Sequence, residues 1–253
     1  MTMSFRPFTS GLLHQKITLS PDGTFCLPGW QSAEDVSSLA GAEIDAWCIE
    51  ARPLAGGDYL AASELARAGR FRFEKDRDQF VTGRGLLRLL LSKYLETNPA
   101  SINFTFGPGG KPAAEQQDHQ PVQFNLSHSG GMLLLVFTRL GQIGVDIEKI
   151  HDVPNFEHVI TRFFSQAEQR GFDEINFEEK LPAFFTCWTR KEAFIKARGD
   201  GLSLPLDQFD VSILPSLPAE LRYTAWDPSE VSRWSLVDIP VRPGYCAALA
   251  AAR

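Results

Sequence analysis

The chain has 253 residues and a formal net charge of −6, and hydrophobic residues make up 43% of it and charged residues 22%. This balance is typical of a folded globular protein and excludes a disordered one. The overall negative charge leaves no global positive field to hold a nucleic-acid backbone, so we expect no nucleic-acid partner. An anionic ligand would need a local basic cluster or a bound metal ion.

Two features of the sequence bear on where the protein works. No run approaches the ~18 consecutive apolar residues of a membrane span, and the first residues lack the basic and apolar regions of a secretory signal. The cysteines, Cys26, Cys48, Cys187 and Cys246, are widely spread and form no C-x-x-C pair. This spacing indicates neither a zinc site nor a disulfide framework. We therefore expect a cytoplasmic protein with reduced cysteines and no membrane association.

The first half of the chain begins irregularly and then becomes periodic. Residues 1–43 mix proline, glycine and short apolar pieces without a sustained period, and are interpreted as an N-terminal extension. Alternating apolar residues predict a strand at Ile44–Glu50, and apolar residues at helical spacing predict a long helix at Lys75–Thr97. Further strands are predicted at Ile102–Phe106, Phe124–Leu126, Met132–Thr138 and Ile143–Ile150.

The second half repeats this plan. Helices are predicted at 155–163, 166–172 and 182–198, with Pro182 in the first turn of the last one and Gly199 just past its end. Strands are predicted at Phe209–Leu214, Tyr223–Trp226, Trp234–Val237 and Tyr245–Ala250.

The repeated order predicts an α+β fold of two similar lobes, each a small antiparallel sheet packed against helices, related by a pseudo-twofold axis. We assign the first lobe to residues 44–150 and the second to residues 151–253. The active site is expected in the cleft between them.

Two carboxylates lie close together in the run Gly144-Val145-Asp146-Ile147-Glu148. On a strand, Asp146 and Glu148 share one face, roughly 6–7 Å apart, and the intervening residues point into a core. Hard oxygen ligands of this kind suit magnesium. Taken alone, the pair could equally belong to a solvated strand face.

The predicted helix at 182–198 carries Trp188, Glu192 and Lys196 at intervals of four residues, so all three lie along one stripe. A carboxylate and an ammonium group there could serve a metal ion and a phosphate. The alternative is an ordinary surface ion pair between Glu192 and Lys196.

Two further segments carry polar groups beside glycines. Ser127 and His128 follow a predicted strand and are well placed for a phosphate oxygen, although His128 could be an ordinary turn residue. Lys111 follows two glycines and precedes Pro112. The nucleotide-binding P-loop is absent, because no serine or threonine follows that lysine.

The order and combination of these segments resemble a known family. In chain order they are Gly110-Lys111-Pro112, FNLSHS, GVDIE, RFFSQAE and WTRKEAFIKARGDGLSLPLDQFDV. Together they resemble the larger, surfactin-type class of 4′-phosphopantetheinyl transferases, from about Trp47 to the end of the chain. The pairing of G-V-D-I-E with W-x-x-K-E-A-x-x-K is highly specific.

The resemblance implies an enzyme that transfers the 4′-phosphopantetheine group from coenzyme A to a serine of an apo acyl or peptidyl carrier protein, releasing 3′,5′-ADP. It implies one Mg²⁺ bound by Asp146, Glu148 and Glu192, with Glu192 also acting as the base. Lys196 and His128 would act beside Glu192 by holding the diphosphate of coenzyme A. Ser127 would assist them, and Lys111 and Pro112 would line the nucleotide side. Since related short transferases build such clefts between subunits, a chain with both lobes is expected to be a monomer.

The resemblance also implies basic residues for the 3′-phosphate of coenzyme A. Six candidates lie before or within the first long helix: Arg70, Arg72, Lys75, Arg77, Arg84 and Arg88. We favour Arg70 and Arg84, and Gln79 stands where some relatives carry arginine. The alternative is that these are surface arginines without a ligand.

The sequence leaves open the role of Glu168 and two alternatives to the transferase function. Glu168 is either the end of a Ser165-x-x-Glu168 capping box or a group on the metal or carrier side. The three carboxylates would equally suit a magnesium-dependent hydrolase of nucleotide diphosphates. An inactive carrier-binding module is a third reading of the whole chain.

Overall fold

The computed structural model describes residues 12–33, 38–39, 41–51 and 56–253. Residues 1–11, 34–37 and 40 of the expected N-terminal extension therefore lie outside the described residues. The strands are β1 Leu13–Leu19, β2 Phe25–Cys26, β3 Gln31–Ser32, β4 Glu43–Glu50, β5 Phe104–Phe106, β6 Pro112–Ala114, β7 Gln123–Ser129, β8 Met132–Thr138, β9 Ile143–Lys149, β10 Phe209–Val211, β11 Leu221–Thr224, β12 Trp234–Asp238 and β13 Tyr245–Ala252. The α-helices are α1 Ala62–Ala68, α2 Glu74–Tyr94, α3 Phe156–Phe163, α4 Gln166–Glu174, α5 Phe177–Arg198 and α6 Glu230–Arg233.

Two antiparallel sheets organise the molecule. The first has the order β2-β1-β4-β8-β7, with β3 also paired to β1, and the second has the order β12-β13-β9. Two short pairs, β5 with β6 and β10 with β11, lie outside these sheets. Each large sheet is covered by one long helix, α2 on the first and α5 on the second.

The two lobes repeat one topology. In the first sheet β8 lies between β4 and β7, and in the second β13 lies between β9 and β12, with all pairs antiparallel. In both lobes the long helix follows the first of these strands in the chain. This arrangement confirms the predicted α+β fold of two similar, pseudo-twofold related lobes.

The sheets pack face to face through a shared core. Ala46 and Cys48 of β4 meet Val145 and Ile147 of β9 in one buried cluster, and all four are almost inaccessible to solvent. Because side chains alternate across a strand, Asp146 and Glu148 lie on the opposite face of β9, toward α5. The expected inward direction of Val145 and Ile147 is therefore confirmed.

The segment interpreted as an N-terminal extension contains a strand of the first sheet. Strand β1 pairs with β4 from Leu13↔Cys48 to Thr18↔Glu43, so part of the extension is built into the first lobe. The alternation was hidden because Gln15, a polar residue, takes a buried position in line with Ile17 and Leu19.

Strand β9 pairs with β13 in the second sheet, although residues 44–150 were assigned to the first lobe. The residues of a strand do not by themselves determine which distant strand it pairs with.

Helix α5 begins at Phe177, so Pro182 lies inside the helix and not in its first turn. Glu178 and Glu179 in that first turn suit the positive end of the helix dipole, which extends the helix beyond the proline.

Within the ranges given above, none of the helices combines the length and the apolar character that a bilayer span requires.

Candidate active site

Strands β7 and β9 belong to different sheets and meet along a seam made by side chains. The backbone N–H of Val145 donates to Asn125 Oδ1 at 2.9 Å. Ser127 Oγ donates to Asp146 Oδ1 at 2.7 Å, and Ser129 Oγ donates to Glu148 Oε2 at 2.6 Å. Polar groups of the first lobe therefore hold the acidic strand of the second lobe.

Helix α5 reaches the same seam because β9 carries a glycine beneath it. A Cβ atom on Gly144 would lie 2.2 Å from both Ala193 O and Ala197 N, so only glycine permits this approach. Lys196 on α5 donates from Nζ to Asp146 Oδ1 at 2.5 Å and to Ser127 Oγ at 3.0 Å. The structure thus joins α5, β9 and β7 at one point.

The carboxylates at this point are held in an unfavourable electrostatic environment. Burial raises the pKa of Glu192, repulsion from Asp146 and Glu148 adds to the rise, and the Lys196 ammonium opposes it. Burial also raises the pKa of Glu148, and the hydrogen bond from Ser129 opposes that rise. A positive ion at this cluster would relieve both effects.

The donor set fits a hard divalent cation. Asp146 is buried, and its Oδ2 atom has no hydrogen-bond partner within the described part of the chain, so one carboxylate oxygen is left for another ligand. Lys196 engages the other oxygen, and in this ligand-free arrangement no group of three or more His, Cys, Asp or Glu side chains among the described residues is placed to hold a metal ion. All the available donors are oxygens, which are the ligands that Mg²⁺ prefers.

A cavity of about 480 Å³ opens beside this cluster in the first lobe. Its lining includes Arg67, Phe80, Arg84, Pro112, Asn125 and His128. His128 stands on β7 between Ser127 and Ser129, so alternation sends it away from the seam and into the cavity. Partial burial lowers the pKa of His128, and the charge of Lys196 adds to this effect.

The arginines divide into three groups. Arg84 lines the cavity, burial lowers its pKa, and its buried Nη1 atom has no hydrogen-bond partner among the described residues. Glu64 pairs with both Arg84, at 3.4 Å, and Arg88, at 2.6 Å, and Arg88 is committed to the fold because it also binds the carbonyl of Pro99 at 2.5 Å. Arg70 is exposed and does not line the cavity, whereas Arg67, one turn earlier, does. The sequence missed Arg67 because helix α1 was not predicted.

Lys111 lies at a second, smaller cavity of about 150 Å³, which it shares with Lys196 and Asn125. Its Nζ atom donates to Ile143 O at 2.7 Å and to Ala197 O at 3.1 Å. Burial lowers the pKa of Lys111 to about 8. The ammonium therefore ties the first lobe to the start of β9 and the end of α5.

Glu168 lies apart from the acidic cluster. The Ser165 side chain accepts from Glu168 N at 3.1 Å, and Glu168 Oε2 accepts from Ser165 N at 3.0 Å, which is the capping box. Its other oxygen pairs with the buried Lys191 at 2.8 Å and accepts from Val211 N. The capping interpretation is therefore confirmed, and Glu168 also anchors the core of the second lobe.

The two-lobe α+β fold, with acidic and basic side chains at the junction of the lobes, matches a known class of transferase. Residues 142–250 match the family model of the 4′-phosphopantetheinyl transferase superfamily, and residues 52–138 match that of the 4′-phosphopantetheinyl transferase N-terminal region. The chain is 34% identical over 194 residues to the 4′-phosphopantetheinyl transferase HetI of Nostoc sp., covering 76% of this chain and 78% of that protein. It is 30% identical over 194 residues to the transferase Sfp of Bacillus subtilis, covering 77% of this chain and 83% of that protein.

The chain therefore belongs to the 4′-phosphopantetheinyl transferase superfamily, in its surfactin-type class. It is a transferase that uses coenzyme A, with a carrier protein as its acceptor. The hydrolase and the inactive module are set aside by this membership.

Proposed function

We propose that the cleft between the lobes transfers the 4′-phosphopantetheine arm of coenzyme A to a serine of an apo acyl or peptidyl carrier protein, in a Mg²⁺-dependent reaction that releases 3′,5′-ADP. The observation that carries this proposal is the junction of β9, α5 and β7, where acidic residues meet Lys196 and Ser127. Asp146, Glu148 and Glu192 would hold the ion. When bound, Mg²⁺ supplies positive charge to the diphosphate oxygens.

Coenzyme A would lie across both cavities. Lys196 and His128 donate to the diphosphate oxygens, and Ser127 keeps Lys196 beside the cluster. Pro112 and Lys111 line the nucleotide side. Arg84 is the first choice for the 3′-phosphate, because its buried Nη1 atom, which no described residue engages, suits an anionic ligand.

Arg70 remains a proposed contact for the 3′-phosphate, and Arg67 joins it, since that side chain reaches the cavity lining. Both are surface arginines, so their contribution to binding is smaller than that of Arg84.

Glu192 acts as the general base. A carboxylate positioned beside the nucleophile is a suitable acceptor for the proton of a hydroxyl group. Glu192 takes the proton of the carrier serine, whose oxygen then forms a bond to the β-phosphorus of coenzyme A. The bond from that phosphorus to 3′,5′-ADP breaks, and Lys196 and His128 stabilise the charge on the phosphate oxygens.

The proposal also includes the oligomeric state and the cellular compartment. One chain supplies every proposed site residue, so we propose that a monomer is active. Cys26, Cys48, Cys187 and Cys246 are free thiols, which suits the reducing cytoplasm.

The experiment that tests this function is the intact mass of apo-carrier proteins after incubation with the enzyme, coenzyme A and Mg²⁺. We expect each carrier to gain one phosphopantetheine group, and omission of Mg²⁺ or mutation of the carrier serine to prevent the gain. Consumption of coenzyme A with no gain of mass on any carrier would contradict the proposal.

A further inference from the structure

The hydroxyl group of Ser129, the last residue of β7, makes two bonds to the end of β9. Its Oγ–H donates to Glu148 Oε2 at 2.6 Å, and the same oxygen accepts from the backbone N–H of Lys149 at 3.0 Å. A short bond to a carboxylate is among the stronger hydrogen bonds in proteins. Ser129 therefore fixes both a carboxylate and the backbone beside it.

The turn that follows Ser129 is itself held from two sides. Tyr245 on β13 donates from its hydroxyl to Gly130 O at 2.7 Å, and Ala51 N donates to Gly131 O at 2.6 Å. Gly130 has a φ of 54°, and a Cβ atom there would lie 2.8 Å from the Tyr245 hydroxyl and 2.6 Å from the Lys149 side chain. The position of the Ser129 hydroxyl is therefore determined by the fold.

Glu148 needs such a restraint more than Asp146 does. Asp146 is buried, has a short side chain, and is bound by both Ser127 and Lys196. Glu148 is half-buried with a longer side chain, and among the described residues its carboxylate accepts a hydrogen bond from Ser129 alone. Without it, repulsion from Asp146 would favour rotation of the Glu148 carboxylate toward solvent.

We propose that Ser129 is a positioning residue that holds Glu148 in the orientation required to share a divalent cation with Asp146. This rests on the proposed function, because it takes Asp146, Glu148 and Glu192 as the ligands. Groups that orient metal ligands typically change metal affinity by roughly 10–100-fold when they are removed. In this proposal Ser129 acts on the metal ion through Glu148.

The test compares Ser129→Ala with the parent protein by calorimetric titration of Mg²⁺ alone and by the Mg²⁺ dependence of transfer. We expect the dissociation constant for Mg²⁺ to rise roughly 10–100-fold, with kcat at saturating Mg²⁺ close to the parent and a protein that remains folded at the assay temperature. Ser235→Ala is the matched control, since it removes a strand hydroxyl that accepts from Arg253 Nε at 2.8 Å. It should leave Mg²⁺ binding as it is.

A second pair guards against a loss of folding. Ser129→Thr retains the hydroxyl, Ser129→Val has the same shape without it, and both suit a strand. We expect Thr to bind Mg²⁺ nearly as the parent does and Val to bind it as weakly as Ala. Equal Mg²⁺ affinity of the Thr and Val variants would overturn the proposal.

Glu148→Gln separates this proposal from the function on which it rests. If Glu148→Gln weakens Mg²⁺ binding and Ser129→Ala does not, Ser129 has no positioning role and the metal assignment stands. If the folded Glu148→Gln protein binds Mg²⁺ as tightly as the parent, the metal assignment itself is wrong.

Discussion

Strands β4 and β9 take equivalent places in the repeated three-strand units, β4-β8-β7 and β9-β13-β12, but present different side chains to the helices that cover them. Counted from the first residue paired with the central strand, Ile44 in β4 and Ile143 in β9, Trp47 corresponds to Asp146 and Ile49 to Glu148. Trp47 and Ile49 are buried in the core beneath α2. One position in the repeated scaffold thus serves packing in the first lobe and chemistry in the second.

This difference has a physical cause that can be tested. An apolar side chain under a helix stabilises the fold by burial, whereas a carboxylate in the same place costs desolvation free energy unless a charge or hydrogen bonds compensate it. Changes at the β4 positions should therefore lower stability, and changes at the β9 cluster should lower activity. The predictions below are ordered by the size of the expected effect.

The largest effect is expected for Glu192→Gln. The variant keeps the shape of the side chain but cannot accept the serine proton, so transfer should slow by roughly 10²–10⁴-fold, the range for loss of a general base. The measurement is single-turnover transfer to a carrier protein, with circular dichroism to verify the fold. Glu178→Gln, at an exposed position of the same helix, is the control. A parental rate for Glu192→Gln would refute the assignment of the base.

Ile49→Ala should show the opposite signature. Ile49 is 4% exposed within the core of the first lobe, and truncation of such a residue costs about 2–5 kcal/mol of unfolding free energy. Denaturant titration measures this loss. The rate of transfer per folded molecule should match the parent, and a large loss of kcat at full folding would show that the first lobe also carries chemistry at this position.

Asp146→Asn tests the acidic cluster of the second lobe. It removes one negative charge from the cluster while keeping an oxygen beside Ser127, so we expect Mg²⁺ affinity to fall at least the roughly 10–100-fold associated with a supporting group. Transfer should fall with it and recover in part at high Mg²⁺. An unchanged Mg²⁺ titration would remove Asp146 from the metal site.

Lys111 gives the smallest expected effect per pH unit and tests the link between the lobes. Its folded-state pKa of about 8 lies below the ordinary value of 10.5, so between these pH values the unfolded chain binds more protons and the free energy of unfolding rises with pH. One proton contributes at most about 1.4 kcal/mol per pH unit. Lys111→Met should lack this part of the slope.

Denaturant titrations of the parent and of Lys111→Met from pH 7.5 to 10.5 measure the difference. Parallel curves over that range would show that the Lys111 ammonium is not desolvated between the lobes.

Local patterns predicted much of the architecture. The buried strand β8 and the capping box of Ser165 and Glu168 depend on neighbouring residues, and both are present at the positions predicted from the sequence. Alternation in β9 also predicted that Val145 points into a core. Each of these predictions rests on a period or spacing of a few residues.

The features that the sequence left unpredicted depend on distant partners. Lys111 binds the carbonyl groups of Ile143 and Ala197, which are remote from it in the chain. The residues next to Lys111 in the sequence give no sign of these contacts. Ser129 ends a familiar segment, yet its contact with Glu148 exists only because β7 and β9 lie side by side. The available signal was that Ser129 lies two residues after Ser127, a predicted ligand-binding residue. Because alternate residues of a strand share one face, Ser129 could have been placed on the same face as Ser127.

The close contact of Gly144 with α5 affects how natural variation in this protein should be interpreted. Any side chain there must separate the strand from the helix, which moves Glu192 and Lys196 away from Asp146 although Gly144 binds nothing itself. A survey of variants by activity alone would score this glycine as severely as the acidic residues. Its intolerance to change reflects spacing, and because the clashing atoms belong to the α5 backbone, a change of side chain at Ala193 or Ala197 cannot rescue it.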